Sequence, residues 1–486
     1  MVDQTELMTM SITKALDIYG WSHLDSVLLA ALATQSPLLL VGPHGTAKSL
    51  LVEKMAGALN LQMRHYNASL LNYDDLVGIP LPDEAGESLR FVPTPGSIWD
   101  AGFVFFDEIS RCRADLQNKL FPIIHERKIV GIPLENLQHR WAAMNPPAPE
   151  EMDNSTGAEY YLGSEPLDPA LADRFPFVVP VPNWRGLSAE DRRHLLAWHG
   201  ENPSNDTDLF EHVTGQPLQH MIDECRSLIP EIEAEFSEWL TDYIMYVMDL
   251  LDQAKLAQSP RRARMLARSV SAIHAARMIL EHVERDDLEF SAQLALIYGL
   301  PQSATDSPPS QATIIATHRQ AWEIASLSDG DDWRQILEET DPIQRILLAE
   351  QLGFAEHDLG RLITQALATE ESDARQCGLA TAIFLTFKDR HSLTPSAWEP
   401  LAKLAREVLE PRQMTTSITP GYLTNTWNEI TDWCNSRSIK DNRYEKMIQN
   451  FVLCGFPDRW KNYKWQDVVE QFRTDLAQFG IKEGEY

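Results

Sequence analysis

Cysteines, basic residues and long apolar runs are all scarce in this chain of 486 residues. The five cysteines lie far apart and form no Cys-x-x-Cys pair, which argues against a disulfide framework and against a zinc site. No run of about 18 apolar residues is present to cross a bilayer, and the acidic, polar start differs from a secretory signal. These absences predict a cytoplasmic, soluble protein without a membrane span.

The shortage of basic residues also narrows the choice of partner. Lys and Arg together number 42 against 71 Asp and Glu, which gives a formal net charge of -29. Binding to nucleic acid depends on Lys and Arg that displace counterions from phosphates, so a broad nucleic-acid surface is disfavoured. A local basic channel stays open as an alternative, but the composition favours a protein partner.

The first part of the chain alternates short apolar runs with helical stretches, the pattern of a parallel sheet covered by helices. Residues 1–182 therefore predict an α/β nucleotide-binding domain. The length of the chain allows roughly two to four domains. The five segments expected as strands are 36–42, 61–68, 102–108, 139–145 and 175–182.

Helical periodicity dominates the rest of the chain. Residues 183–299 predict an all-α domain, and residues 300–313, rich in Pro, Ser and Thr, predict a linker. Residues 314–486 predict a mainly α-helical C-terminal domain in which no catalytic motif is recognised.

The stretch "VGPHGTAKSL", residues 41–50, has the pattern of a phosphate-binding loop between a strand and a helix. Gly42 and Gly45 would permit close backbone approach to phosphates, Lys48 would reach the β- and γ-phosphates, and Ser49 would bind Mg²⁺. The alternative is a glycine-bearing strand-to-helix turn that holds no ligand. The common pattern has glycine where this chain has Ala47, and we expect the alanine to cost little if it adopts right-handed helical geometry.

The stretch "FVFFDEIS" places two acids at the end of an apolar strand. Asp107 would hold Mg²⁺ and Glu108 would polarise the attacking water. Such acids also occur as ordinary solubilising residues at strand ends. Their position about 60 residues after the loop favours the catalytic interpretation.

Together these motifs resemble the MoxR branch of the AAA+ ATPases, whose loop is typically written GPPGTAKS, with alanine at the unusual position. The resemblance runs from about Leu24 to Gly299 and includes an insertion at 79–97, expected as a β-hairpin that interrupts a helix and faces the pore of a ring. It implies an α/β P-loop AAA+ core with a five-stranded parallel sheet, then an all-α lid and the mainly α-helical C-terminal domain, which would dock a partner or client.

The resemblance also assigns further site residues. Asn145, in "AAMNP", matches the first sensor, and Arg174, in "LDPALADRFPF", matches an arginine finger that reaches the neighbouring subunit's γ-phosphate. Without the resemblance, Asn145 would be a turn residue, and Arg174 would form a surface ion pair with Asp173 or Asp168.

"QSPRRARML" matches the second-sensor box at the start of a lid helix, where Arg261 is the expected nucleotide contact in its own subunit. The following arginines, Arg262, Arg264 and Arg268, are expected on a solvated or interface face. The full set expected to bind nucleotide is Gly42, Gly45, Thr46, Ala47, Lys48, Ser49, Leu50 and Arg261, with Ser49 and Asp107 on the metal.

The resemblance implies ATP and Mg²⁺ as cofactors and a homo-oligomeric ring, most simply a hexamer. Relatives in this branch commonly act with a von Willebrand factor A domain protein to mature or remodel a protein client. A second hypothesis is a nucleic-acid-directed motor or the motor subunit of a restriction or defence system. Few basic residues in the insertion argue against that hypothesis, since "IPLPDEAGESLRFVPTPG" holds one Arg and three acids. A third hypothesis is a nucleotide-dependent assembly switch that does not hydrolyse ATP.

Overall fold

The computed structural model describes most of the chain, and the statements below concern those residues. The described ranges are 11–82, 89–147, 165–197, 210–211, 215–305, 308–328, 330–339, 341–370, 372–391, 393–410, 428–434, 442–455 and 464–483. The chain divides into two compact units, residues 1–326 and residues 327–486. Within the described ranges, no helix has both the length and the apolar character needed to span a membrane.

The first unit is built on a five-stranded parallel sheet, which confirms the predicted fold class. The spatial order of its strands is β2-β5-β8-β1-β9, and each one lies inside a segment predicted from the sequence. In chain order the strands of this unit are β1 (Leu38–Val41), β2 (Met63–Asn67), β3 (Ile79–Pro82), β4 (Leu89–Val92), β5 (Phe103–Asp107), β6 (Lys128–Ile129), β7 (Ile132–Pro133), β8 (His139–Met144) and β9 (Phe177–Pro180).

Both faces of the parallel sheet are buried, which explains why its strands are continuous apolar runs. Along β1, Leu38 and Leu40 belong to one buried cluster, whereas Leu39 and Val41 belong to another on the opposite face. The alternation follows from the two-residue period of a strand. Each cluster is completed by helices that cover that face.

The helices of the large domain agree with the sequence pattern. The predicted helix 48–60 is present as Lys48–Ala58, and the predicted helix 113–126 begins as Ala114–Phe121 and continues as a π-helical turn, Pro122–Glu126. Pro122 lacks a backbone N–H, so the regular hydrogen-bond pattern cannot continue through it. The α-helices here are α1 (Ile12–Ala15), α2 (Asp25–Ala33), α3 (Lys48–Ala58), α4 (Tyr73–Val77), α5 (Ala114–Phe121), α6 (Pro169–Ala172) and α7 (Ala189–Ala197).

The predicted insertion contains an antiparallel hairpin, in which β3 pairs with β4 and Ile79 lies opposite Val92. Its tip, residues 83–88, lies outside the described residues. The hairpin follows the short helix α4, but residues 93–102 form turns and do not resume a helix. Pro93 and Pro95 account for this difference, because proline disfavours helical geometry in the preceding residue and removes a backbone donor.

The segment predicted as the lid consists of long helices that pack against α2 and the large domain. Its helices are α8 (Leu218–Glu235), α9 (Ser237–Gln253), α10 (Pro260–Leu280) and α11 (Glu289–Tyr298). One more helix, α12 (Gln311–Ala325), belongs to the same unit. It packs on α9, where the Trp239 and Trp322 rings lie 4.6 Å apart and His318 Nδ1 lies 2.9 Å from the Tyr243 hydroxyl. The compact division therefore falls after α12 rather than at residue 314.

The second unit is helical throughout its described secondary structure, as predicted for the C-terminal part. One buried cluster of apolar side chains joins its helices. Those helices are α13 (Asp332–Glu338), α14 (Pro342–Gln351), α15 (Glu356–Thr369), α16 (Asp373–Phe387), α17 (Pro395–Leu409), α18 (Arg443–Gly455) and α19 (Trp465–Gln478).

Candidate nucleotide site

The candidate phosphate loop joins β1 to α3 at the carboxyl edge of the sheet, where parallel α/β folds bind ligands. Gly42 directly follows β1, and its N–H donates to the Met144 carbonyl at 3.0 Å. A Cβ on Gly42 would lie 2.2 Å from Val181 Cγ2, so packing against the end of β9 requires this glycine. Gly45 has a φ of +75°, and a Cβ there would meet no neighbour within 4 Å, so its backbone geometry is what favours glycine.

The structure corrects the expectation that Ala47 adopts right-handed helical geometry. Ala47 is the N-cap residue of α3 with φ 65° and ψ 21°, which is left-handed geometry. The common glycine at this position is therefore explained by backbone conformation, and the alanine bears a conformational cost.

Lys48 is buried under the loop and folds back on it. Its Nζ donates to the carbonyls of Gly42 and Pro43, each at 2.7 Å. Burial lowers the pKa of Lys48, and the nearby carboxylates of Asp107 and Glu108 oppose that effect. Thr46 closes the turn, since its hydroxyl donates to the Pro43 carbonyl at 2.8 Å.

The acidic strand end meets the start of α3. The Ser49 hydroxyl donates to Asp107 Oδ2 at 3.0 Å, so the two side chains predicted to bind the metal are already adjacent. Glu108 follows with a φ of 53°, and its N–H donates to Asp107 Oδ1 at 2.9 Å. Glu108 Oε1 lies 3.4 Å from Arg111 Nη1, an ion pair one turn along the chain.

His65 contacts the same carboxylate and was not singled out from the sequence. Its Nε2 lies 3.6 Å from Asp107 Oδ2, and its Nδ1 lies 3.8 Å from Glu53 Oε1 on α3. The adjacent Asp107 carboxylate raises the pKa of His65 despite burial. Burial also raises the pKa of Asp107, but the neighbouring His65 and the hydrogen bonds from Ser49 and the Glu108 N–H outweigh it and leave that pKa lowered. The only sign of this contact in the sequence was a histidine in the segment that forms β2. The contact itself arises because β2 pairs with β5.

Asn145 follows β8 directly, at the same edge of the sheet. Met144 lies opposite Val41 in the parallel register, and β8 also pairs with β5. Asn145 is therefore held between the strand that leads into the loop and the strand that ends in Asp107. The structure thus brings the predicted first sensor to the predicted site.

These residues fit a magnesium nucleotide. A serine hydroxyl and a carboxylate are the hard oxygen ligands that Mg²⁺ prefers. The Lys48 ammonium is held by two backbone carbonyls, so its charge is available to phosphate oxygens beside the N-terminus of α3. The chemistry of the donor set therefore matches both predicted cofactors.

A cavity of about 170 Å³ adjoins the loop. Leu50, 37% exposed, lines it together with Gly45, Thr46 and Ala47, which gives Leu50 the predicted place beside the nucleotide. The opposite wall comes from segments that the motifs did not indicate. It includes Ile18, Tyr19, Trp21, Trp184, Leu187 and Leu195.

Arg174 lies elsewhere, just before β9 and therefore at the amino edge of the sheet. Its guanidinium donates to the Ala170 carbonyl and stacks over the Phe121 ring, with 4.4 Å between the guanidinium carbon and the ring centroid. The ion-pair alternative is not what the structure shows, because the side chain of Asp168 caps α6 and Asp173 contacts other residues.

Arg261 is placed near that same amino edge, and its expected contact with nucleotide in its own subunit stays a prediction. Its Nη1 lies 3.4 Å from Asp173 Oδ2, and its side chain is 47% exposed. Burial is the main cause of the lowered pKa of His125, and the charges of Arg261 and Arg174 lower it further. The three side chains therefore lie in the same region. The four residues of β1, at roughly 3.3 Å each, separate the amino edge from the phosphate loop by about 13 Å.

Arg262 overturns a second expectation, because it is fully buried rather than on a solvated face. Its guanidinium donates to the carbonyls of Phe175 at 2.8 Å, Gly299 at 2.9 Å and Ala172 at 3.3 Å. Burial lowers the pKa of Arg262 to about 10, and Asp173 partly opposes this. Arg262 therefore joins the start of α10 to the large domain.

The sheet, the loop and the acidic strand end define a P-loop nucleotide-binding domain. Residues 37–175 match the family described as "AAA domain (dynein-related subfamily)". The match starts just before β1 and ends one residue after Arg174, so it covers every candidate site residue except Arg261. The first unit thus contains an AAA domain, and this supports nucleotide binding and ATPase activity in general.

One solved structure from Cytophaga hutchinsonii, described as that of "a putative ATPase", is 20% identical to this chain. The alignment covers 67% of this chain and 91% of that chain, with a TM-score of 0.41. No curated protein matches the chain. The assignment of the fold rests on the sheet and on the family match.

Proposed function

We propose that this protein is a MoxR-type AAA+ ATPase that hydrolyses ATP in a ring and remodels or matures a protein client or complex. The observation that carries the proposal is the cluster of Lys48, Ser49, Asp107, Glu108 and Asn145 at one edge of the sheet. Every group needed to bind and hydrolyse a magnesium nucleotide, apart from the arginine finger, meets there. A hydrolytic role is favoured over a switch without hydrolysis for this reason.

Bound MgATP supplies the phosphoryl group and a metal ion that neutralises its charge. Lys48 would exchange its two carbonyl partners for phosphate oxygens, and Asp107 would hold the metal with Ser49. Glu108 would accept a proton from the attacking water, whose position Asn145 would fix. Each of these groups acts by position and charge, which is how enzymes of phosphoryl transfer generally lower the barrier.

Arg174 and Arg261 complete the site from outside in this proposal. Both lie at the amino edge, about 13 Å of strand away from the phosphate loop of their own chain. A head-to-tail ring brings that edge of one subunit to the carboxyl edge of the next. The ring, most simply a hexamer, is therefore part of the proposed mechanism.

A protein client suits the described part of the hairpin. Ile79, Leu81 and Val92 expose 54%, 43% and 37% of their surface there. Exposed apolar side chains favour contact with polypeptide over contact with a phosphate backbone. The resemblance to MoxR proteins adds a von Willebrand factor A domain protein as the proposed partner.

The proposal is tested with Glu108→Gln, which keeps the shape of the side chain but removes its basicity. We expect nucleotide binding to be retained, while ATP hydrolysis falls by about a hundredfold or more. Fluorescent-nucleotide titration and phosphate release measure the two quantities. Glu135→Gln, at an exposed position of the same domain, is the matched control and should hydrolyse normally.

Normal turnover by Glu108→Gln would refute the assignment. Background turnover by the assembled wild-type protein would favour the switch without hydrolysis. DNA-stimulated turnover that weakens steeply with salt would favour the nucleic-acid motor.

A further inference from the structure

The second unit contains a cavity of about 340 Å³ that plays no part in the proposed ATPase site. Its volume lies within the range of about 300–1,000 Å³ typical of small-molecule sites. Parts of four helices form it, and the polar residues that line it come from the start of α14, the end of α15, α16 and α19. These residues are Asp341, Glu370, Arg375, Gln471, Asp475 and Gln478.

Acidic groups outnumber basic ones in the lining. Three carboxylates face a single guanidinium, and Arg375 Nε is already paired with Glu370 Oε2 at 3.2 Å. Asp341 accepts the Ile343 N–H at 2.9 Å as the N-cap of α14 and has no ion pair with a described residue. Acidic side chains therefore exceed basic ones by two in the lining.

Asp475 is the most unusual member of the lining, because it occupies a core position. Along α19 the buried residues Val468, Phe472 and Leu476 follow the helical period, and Asp475, only 3% exposed, lies on the same face. An apolar side chain is the ordinary choice at such a position. Burying an ionisable carboxyl costs free energy unless its oxygens are paired.

The pairing of Asp475 is incomplete. Gln471 Nε2 donates to Asp475 Oδ1 at 2.8 Å, and among the described residues no donor contacts Oδ2. Burial raises the pKa of Asp475; Gln471 and Arg375 oppose the rise, and the Asp341 and Glu370 carboxylates add to it. A buried acceptor that faces a cavity, with two further carboxylates near it, calls for a cationic donor from outside.

The apolar part of the lining limits what that donor can be. Ile343, Ala366 and Leu379 are buried and line the cavity beside the carboxylates. They suit the methylene stem of a long cation. A bare metal ion is disfavoured, because no group of three or more His, Cys, Asp or Glu side chains within the described part of the chain could hold one.

We propose that this cavity binds an alkylguanidinium or alkylammonium group, with Asp475 Oδ2 as the principal acceptor and the apolar wall against the methylene stem. The same chemistry is offered by a free organic amine and by an Arg or Lys side chain of a polypeptide. The proposal does not rest on ATP hydrolysis, so it can fail or succeed independently of the proposed function.

The test is calorimetric titration of the full chain without nucleotide. The probes are agmatine, N-acetylarginine amide and, as the neutral isostere, N-acetylcitrulline amide. We expect each cation to bind with one molecule per chain. The affinity of the citrulline compound should be lower by about tenfold or more. Tighter binding of agmatine identifies a free amine as the source, whereas tighter binding of the arginine amide identifies a polypeptide side chain.

Two variants with opposite expected effects sharpen the test. Asp475→Asn should weaken cation binding about tenfold or more, whereas Arg375→Gln, which removes the competing cation, should tighten it. Asp373→Asn, at an exposed position of the same helix α16, should change nothing. Because Arg375 is an exposed residue, with 44% of its side chain accessible, its variant should fold even if Asp475→Asn does not.

The proposal is overturned by any of three results. These are no cation binding to the wild-type chain, equal binding of the arginine and citrulline amides, or weaker cation binding by Arg375→Gln.

Discussion

Two non-glycine residues of the candidate nucleotide site adopt left-handed backbone geometry. They are Ala47, with φ 65°, and Glu108, with φ 53°. An L-residue in this region costs roughly 1–2 kcal/mol, and such strain is concentrated at functional sites. Ala47 fixes the entry to α3, and Glu108 turns the chain directly after the residue that contacts Ser49. In both cases the backbone geometry positions a neighbouring functional group.

Ala47→Gly should therefore stabilise the first unit. Glycine adopts left-handed geometry freely, and the relief exceeds the added entropy of the unfolded chain, so we expect a gain of up to about 1 kcal/mol. The measurement is the urea midpoint for unfolding of this unit without nucleotide.

The matched control for that substitution is Ala234→Gly. Ala234 is exposed within the right-handed helix α8, where glycine should cost about 0.5–1 kcal/mol. A loss of stability in both variants would contradict the left-handed assignment of Ala47.

At the scale of single elements, two adjacent arginines at the start of α10 have different roles. Ser259 caps this helix by accepting the Arg262 N–H at 3.1 Å, and Pro260 occupies its first position. Successive residues on a helix point about 100° apart, so one of the two arginines faces the domain and the other faces solvent. Arg262 is buried, whereas Arg261 is about half exposed.

The Arg262→Met variant should therefore lose stability, whereas the Arg261→Met variant should lose turnover. Loss of Arg262 leaves the buried carbonyls of Phe175 and Gly299 without this donor and removes one of the donors to Asp173, so we expect a loss of about 3 kcal/mol or more in the stability of the first unit. Loss of the exposed Arg261 should change stability by about 0.5 kcal/mol or less, while lowering the turnover of the assembled protein. Denaturant midpoints and phosphate release measure the two effects. Reversed results would show that the two roles are exchanged.

The elements themselves were largely predictable, because their signals are local. The apolar runs indicated all five strands of the sheet, and the Gly-Thr-Ala-Lys-Ser sequence together with the Asp-Glu pair indicated the two halves of the site. The rotation of α10 was not predictable, since only packing decides whether Arg261 or Arg262 enters the interior. His65 was missed for a similar reason, because its contact with Asp107 depends on the pairing of two strands that are distant in sequence.

The boundary after the lid shows the same limit. Residues 300–313 are rich in Pro and Ser and were expected to end the unit, yet α12 follows and packs back on the lid through Trp322 and His318. Helical periodicity shows that a helix exists but not which neighbour covers it. Where α12 packs is therefore a property of tertiary structure.

At the scale of the whole molecule, one subunit holds the parts of the proposed catalytic site at two different edges. Lys48, Asp107 and Glu108 lie at the carboxyl edge of the sheet, whereas Arg174 and Arg261 lie at the amino edge. The strand length between these edges prevents Arg174 from reaching the phosphate loop of its own chain without rearrangement of the sheet. In the proposed mechanism, catalysis therefore depends on a head-to-tail contact between subunits.

Mixing two inactive variants tests that dependence. Arg174→Ala keeps an intact phosphate site without the arginine, and Glu108→Gln keeps the arginine beside an inactive site. Each variant alone should hydrolyse ATP slowly. For Arg174→Ala the reason is that removal of an arginine finger typically lowers turnover by roughly 10³ to 10⁵. For Glu108→Gln the reason is that the catalytic site itself is inactive. In rings formed at random from equal amounts, about one quarter of the interfaces pair an intact site with an intact arginine, so turnover should recover toward about a quarter of the wild-type rate. Phosphate release after co-assembly measures the recovery, and unmixed rings of each variant are the controls. An arginine acting within its own subunit would give no recovery at any ratio, and that result would contradict the proposed shared site.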